Sequence, residues 1–234
     1  MNYKNLVFLG TSHIAKQSLD EVKNAIETEK PDMVALELDH KRLHALMQKQ
    51  RRLEIGMIRK VGIKGFIFLL IGAWAEKKLG KLVGVAPGSE MRQALKIARK
   101  KDIRVALVDQ DIEITLKRLS HELTWKEKWN FVKDVAKAFF SSKKEIDFDL
   151  RTVPDKKTIK KLVDKLRERY PNVYKVLIEE RNIAIANNLR KIIGHNTDKK
   201  ILVILGAGHI EDVVKLLEGK EIHITYSFSA IQNQ

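Results

Sequence analysis

The chain has 234 residues, with 45 Lys and Arg against 30 Asp and Glu, a formal charge of +15 and no cysteine. At this length, with 44% hydrophobic residues, 12 Gly and 4 Pro, it can bury a core without staples and is neither disordered nor collagen-like. Zero cysteine excludes a disulfide framework, a Cys-ligated zinc site, an iron–sulfur cluster and a cysteine nucleophile, and predicts a reducing, cytoplasmic setting.

The chain opens on a strand-like pattern rather than a signal peptide. Leu6–Leu9 reads as a buried strand, and a helix over Ser18–Glu29 follows it and stops before Pro31. Met33–Leu38 is the second predicted strand, followed by a helix over His40–Leu53. Residues 54–88 interrupt the alternation. Their apolar run, Gly65–Ala75, has 11 residues, whereas a spanning helix needs about 20. It predicts a buried or interface helix. A homodimer contact through 61–79, or attachment to an anionic membrane surface helped by Lys77, Lys78 and Lys81, are the other readings.

Ser89–Lys100 is a helical pattern with Ser89 as its N-cap, and it leads into the third strand, Ile103–Val108. From about Thr115 to Thr197 the pattern is nearly all helical. Trp125–Phe140 is amphipathic, with Trp125, Trp129, Val132, Ala136, Phe139 and Phe140 on one face. That face reads as core rather than a base-stacking surface. A basic helix over Thr158–Tyr170 ends before Pro171, and Asn172–Ile193 is a long helix carrying Arg181 and Asn182. The fourth strand is Ile201–Leu205. Its helix, His209–Glu218, closes at Gly219, a good C′ residue. Ile222–Tyr226 is the fifth strand.

Short, buried strands alternating with helices predict one α/β domain over 1–234. Its sheet is central and mostly parallel, with about five or more strands flanked by helices. The stretches 54–88 and 115–197 are helical excursions packed on that sheet. The excess charge lies mainly in 51–81 and in the helices between 117 and 169, outside the strands. It suits surface solvation or attraction to anionic partners, and the Lys- and Glu-rich, Cys-free composition suits a thermophilic protein.

Open α/β sheets bind ligands outside the carboxyl ends of their strands. The first strand ends Gly10-Thr11-Ser12-His13 and the fourth Gly206-Ala207-Gly208-His209, both Gly-x-x-His. A glycine there permits a tight turn with positive φ. Glu37 lies between leucines in the second strand, where a carboxylate must be paired, metal-bound or proton-sharing. Arg181 or Arg118 could pair with it. The third strand ends at Asp109-Gln110-Asp111. Four strands thus deliver His13, Glu37, Asp109 and His209 to one edge, a ligand set that suits Zn, Mn or Co. The other histidines, His40, His44, His121, His195 and His223, have no such setting. There is no Walker loop and no Gly-x-Ser-x-Gly elbow, and Glu211 occupies the place of the third glycine of a dinucleotide fingerprint.

Several motifs occur in a specific order: Leu9–His13, Pro31–Asp39 with Arg42-Leu43, Pro87–Met91, Asp109–Ile112 with Thr115–Arg118, Glu180-Arg181-Asn182, and Gly206–His209. By them the chain resembles the TraB/PrgY pheromone-shutdown family and, through the paired Gly-x-x-His motifs, the Tiki metalloproteases. The resemblance implies a divalent-metal-dependent hydrolase, of peptides, with the paired histidines at His13 and His209, acids at Glu37 and Glu90, and the arginine at Arg181. Gln110 stands where an Arg is common, and Asn182 where an Asp often follows the Arg. Many microbial members carry a C-terminal multi-helix membrane region, and no such region is expected within these 234 residues.

The resulting expectation is metal-assisted amide hydrolysis. His13 and His209 with Glu37, Glu90 or both would hold Mn, Co or Zn, and the remaining carboxylate would act as general base. Arg181 would stabilise an oxyanion or dock a substrate carboxylate. Asp109 or Asp111 would orient a ligand histidine from behind, with Arg118 and Asn182 beside them. The rival is a peptide-binding, sequestering protein without turnover. A nucleic-acid or membrane adaptor ranks last, with nucleic acid the weaker partner.

Overall fold

The computed structural model describes residues 1–11, 16–47, 88–140 and 156–219. Five strands form one sheet: β1 (Asn2–Tyr3), β2 (Leu6–Thr11), β3 (Met33–Leu36), β4 (Arg104–Leu107) and β5 (Ile201–Gly206). Their order is β1-β2-β5-β3-β4, and only β1 runs antiparallel, beside β2. The expected mostly parallel α/β architecture is present. The predicted strand Ile222–Tyr226 lies outside the described residues, as do the 48–87 segment and the dimer contact through 61–79 assigned to it.

The sequence of β5 explains its central place. Every residue of Ile201–Gly206 is buried, as a strand covered on both faces requires. Ile201, Val203 and Leu205 face one core, with Ile185, Ala186, Leu189, Val213, Val214 and Leu217. Those residues come from helices over Glu180–His195 and Ile210–Leu217. Leu202 and Ile204 face the other core, with Val22 and Ile26 of α1 (Lys16–Glu29) and Met91, Ala94, Leu95 and Ala98 of the helix Ser89–Lys100. The result is a helix–sheet–helix sandwich.

In chain order after α1, the helices are α2 (His40–Met47), α3 (Ser89–Lys100), α4 (Ile112–Glu122), α5 (Trp125–Phe140), α6 (Lys156–Arg169), α7 (Pro171–Tyr174), α8 (Glu180–His195) and α9 (Ile210–Leu217). A π-helical turn, Lys175–Glu179, joins α7 to α8. The predicted single helix 172–193 is therefore a composite that starts at Pro171, where the fixed φ of proline suits a first turn.

Several local expectations are corrected. The second strand stops at Leu36, and Glu37 occupies the bend after it. Ser89 is the first helical residue rather than the cap; the N-cap is Gly88, at φ 77°, a conformation glycine adopts without steric cost. Gly10 does not make a positive-φ turn, since among the described glycines only Gly88 and Gly219 have positive φ. Gly10 is needed for close approach instead: a Cβ there would lie 2.9 Å from Ile210 Cδ1 and 3.3 Å from Ala207. Gly219 does terminate α9, at φ 74°, with its N–H donating to Leu216 O at 3.1 Å.

The largest correction concerns α5. Its tryptophan end is not core: Trp125, Trp129 and Val132 are 74%, 61% and 56% exposed, while the side chains of Ala136, Phe139 and Phe140 lie outside the described residues. The helix packs through its polar side. Glu127, only 2% exposed, accepts from Thr124 N (3.0 Å) and Oγ1 (2.8 Å) and from Asn172 N (2.7 Å) and Nδ2 (3.0 Å). Asp134 accepts from Arg169 Nε at 2.6 Å and Tyr170 Oη at 2.5 Å. Satisfied polar groups thus help to fix which side of the first half of this helix turns inward.

Candidate functional site

Parallel register brings the carboxyl ends of β2, β5, β3 and β4 to one edge. Thr11 pairs with Gly206, and Leu36 pairs with both Ile204 and Leu107. The backbone then continues the ladder past the strands. Glu37 N donates to Ile204 O at 3.2 Å, and Asp109 N donates to Leu38 O at 3.3 Å. These bonds set Glu37 and Asp109 side by side at the edge, where both are buried.

Arg181 joins the two acids. Its Nη2 donates to Glu37 Oε1 and, at 2.8 Å, to Asp109 Oδ2; its Nε donates to Asp109 Oδ1 at 3.0 Å. Its Nη1 donates to Leu177 O at 3.3 Å, a carbonyl within the π turn. That turn bonds Glu180 N to Lys175 O, five residues back. It re-phases the helix between two packing surfaces. Val176 within it packs with Leu119 of α4 and with Leu123 just past the end of α4, and Ile185 and Leu189 after it pack on the sheet. Arg181 and Asn182 sit at the junction, as π turns at functional sites often do.

The network is electrically balanced. Arg42 Nη1 lies 2.5 Å from Asp109 Oδ2, so two guanidiniums face two carboxylates. Asp39 places Arg42: its Oδ1 accepts from Lys41 N at 2.7 Å and Arg42 N at 3.0 Å and so opens α2. Burial alone would favour discharging Arg181, but the Glu37 and Asp109 charges outweigh it and hold its pKa well above the ordinary value.

His209 completes the edge. It is the N-cap of α9 and is 6% exposed. Its Nδ1 lies 2.6 Å from Asn182 Oδ1, while Asn182 Nδ2 reaches Asp212 Oδ2 at 3.5 Å. With the amide oxygen turned to the ring, Nδ1 carries a proton. Nε2 then faces Glu37 Oε1 at 3.5 Å. Glu37 Oε2 is separately satisfied by Gly206 N at 2.6 Å. In the neutral ring, Nε2 and Oε1 are two acceptors facing each other, and Oε1 also accepts from Arg181 Nη2.

Five of the expected site residues thus converge: Glu37, Asp109, Arg181, Asn182 and His209. Glu90 is buried, at 1% exposure, in the first turn of α3. Asp111 instead caps α4 through Glu113 N at 2.7 Å and pairs with Lys41 at 2.8 Å. Its carboxyl is held below the ordinary value chiefly by that lysine. Arg118 pairs with Glu180 (2.7 Å) and Glu122 (3.1 Å), so Arg181 is the Glu37 partner. His13 lies outside the described residues. Arg42, Asp39 and Asp212 are additions. Arg42 stands three residues beyond a helix-capping aspartate, a spacing that returns it to the sheet edge.

The TraB/PrgY/gumN family model matches residues 2–226. The chain belongs to this family. It is 32% identical over 225 residues to an uncharacterized protein of Methanocaldococcus jannaschii, covering 94% of this chain and 55% of that one. It is 24% and 23% identical over 195 residues to the TraB domain-containing proteins of Mus musculus and Homo sapiens, covering 78% of this chain and 51% of each. The chain therefore spans about half the length of the curated relatives it matches.

Proposed function

We propose that this TraB-family chain is a divalent-metal-dependent hydrolase of peptide bonds that works at the carboxyl edge of the sheet. The observation that carries the reading is the facing pair His209 Nε2 and Glu37 Oε1, 3.5 Å apart, with Nδ1 beside Asn182 Oδ1, Oε2 on Gly206 N and Oε1 also accepting from Arg181 Nη2. An imidazole beside a carboxylate fits the donor chemistry of Mn, Co or Zn. Among the described residues no group of three such side chains is assembled. His13, from the first Gly-x-x-His motif, supplies a further ligand in this reading. When bound, the ion would polarise a scissile carbonyl and lower the pKa of its water to about 7.

The chain's own residues do the rest. Arg181 and Arg42 fix the Glu37 and Asp109 carboxylates in place, and Asn182 holds His209 in the tautomer that offers Nε2. Of the five N–H groups of a guanidinium, Arg181 uses Nε, both on Nη2 and one on Nη1. A single N–H remains to meet an oxyanion, so docking a substrate carboxylate bidentately is not its role. In this reading Glu90, buried in the first turn of α3, would act as general base.

The test is incubation of the purified chain with a mixed peptide pool and Mn, Co or Zn, beside His209→Ala and Glu37→Gln. Metal-dependent cleavage that both substitutions abolish supports the reading. Peptides that stay intact while binding measurably would mean capture without turnover and would overturn it.

A further inference from the structure

We propose that the outward face of α5 docks the protein on an anionic phospholipid bilayer, with Trp125, Trp129 and Val132 entering the headgroup region and Lys126 and Lys133 meeting its charge. At about 100° per residue, those three apolar residues occupy one narrow arc of the helix. All three are more than half exposed, at 74%, 61% and 56%. Lys126 and Lys133 flank the arc and are exposed. Lys128 lies on its other flank, with Nζ 4.5 Å from the centre of the Trp125 ring.

The acids of the helix turn the other way. Glu127 is buried against Thr124 and Asn172, and Asp134 is bound to Arg169 and Tyr170. The helix therefore presents tryptophan and lysine on this face and keeps its carboxylates off it, Glu127 buried and Asp134 partly exposed in its pair with Arg169. Exposed Trp between lysines is the composition of a helix lying in a membrane interface. Neighbouring α6 adds exposed Lys157, Lys160, Lys161 and Lys165, which extend the positive field.

Charge separates this occupant from the others. A second copy would set lysine against lysine across the contact. Nucleic acid would answer the lysines and could stack on the tryptophans, but it offers nothing apolar to Val132. An anionic bilayer answers both. No helix among the described residues is long and apolar enough to cross a membrane, so the contact is peripheral.

The test is co-sedimentation of the whole chain with phosphatidylserine–phosphatidylcholine vesicles and with phosphatidylcholine vesicles alone. A parallel arm uses a single-stranded oligonucleotide, and brominated acyl chains report tryptophan depth. Binding to the anionic vesicles that weakens with salt is expected. It should fall at least about tenfold in Trp125→Ala/Trp129→Ala and also fall in Lys126→Glu/Lys133→Glu, and the brominated lipids should quench the wild type more than the tryptophan variant. These residues are exposed, so both variants should keep the wild-type circular dichroism. Absent vesicle binding, or binding unchanged in both variants, would overturn the proposal. So would tighter, tryptophan-dependent binding to the oligonucleotide, or a self-associated mass that the tryptophan variant loses.

Discussion

Arg181→Met is the most informative single perturbation of the buried network. The methionine keeps much of the side chain's length but leaves Glu37 Oε1 without its guanidinium, while Gly206 N still meets Oε2. Asp109 keeps Arg42. The main uncompensated charge is therefore Glu37, which is 1% exposed. Removing one partner of a buried pair costs about 3–5 kcal/mol, a large share of the roughly 5–15 kcal/mol that holds a domain folded. Adding Glu37→Gln removes the orphaned charge, so the double variant should lose less than the sum of the singles. Urea unfolding followed by circular dichroism measures all four corners of the cycle. A coupling above about 0.5 kcal/mol is expected. Additive losses, or an Arg181→Met variant as stable as wild type, would refute the network's place in the fold.

Gly10→Ala should destabilise by about 1 kcal/mol, because its methyl would meet Ile210 Cδ1 at 2.9 Å, which can swing aside, and the Ala207 backbone at 3.3 Å, which yields less readily. Ile210→Val should restore part of that loss in the denaturation midpoint, and no change in either variant would remove the close-approach argument. Burial pushes the Glu127 carboxyl up, but hydrogen bonds from Thr124 and Asn172 outweigh it and hold the pKa below the ordinary value. Its contribution is therefore present above the unfolded value of about 4.3 and lost as pH falls through the lower folded value. The stability gap between wild type and Glu127→Gln should shrink in acid; a gap independent of pH would contradict this. Asp212 behaves oppositely, since burial raises its pKa. Its stability contribution is full below the unfolded value of about 3.9 and is lost as pH rises through the folded value. Asp212→Asn, which keeps an oxygen for Asn182, should then be more stable than wild type at neutral pH, with the advantage fading in acid. A less stable variant at pH 7 would refute it.

How much of this was legible depends on the kind of interaction. Buried parallel strands announce themselves as apolar runs, so β2 to β5 were read nearly to the residue. Glu37 was legible because a carboxylate among leucines needs a partner, and Arg181 proved to be that partner. The π turn at Lys175–Glu179 left no mark, since it changes helical phase without changing composition. Arg42 was missed as a site residue because an arginine in a helix's first turn looks solvated until the sheet edge is beside it. The α5 face was misread because helical periodicity locates an apolar stripe but not the direction it faces. The four hydrogen bonds at Glu127 help to decide that direction. Gly10 was assigned to the right place for the wrong reason, since a sequence shows a glycine but not which atoms press on it.

In the proposed reading, His209 and Glu37 together offer an ion two ligands at the sheet edge. Calorimetric titration of Co, Mn and Zn into the chain, His209→Ala and Glu37→Gln tests this pairing. A single saturable site is expected for at least one of these ions, weakened by about tenfold or more in each variant. Failure of the wild type to bind any of them, or equal binding in all three proteins, would contradict it.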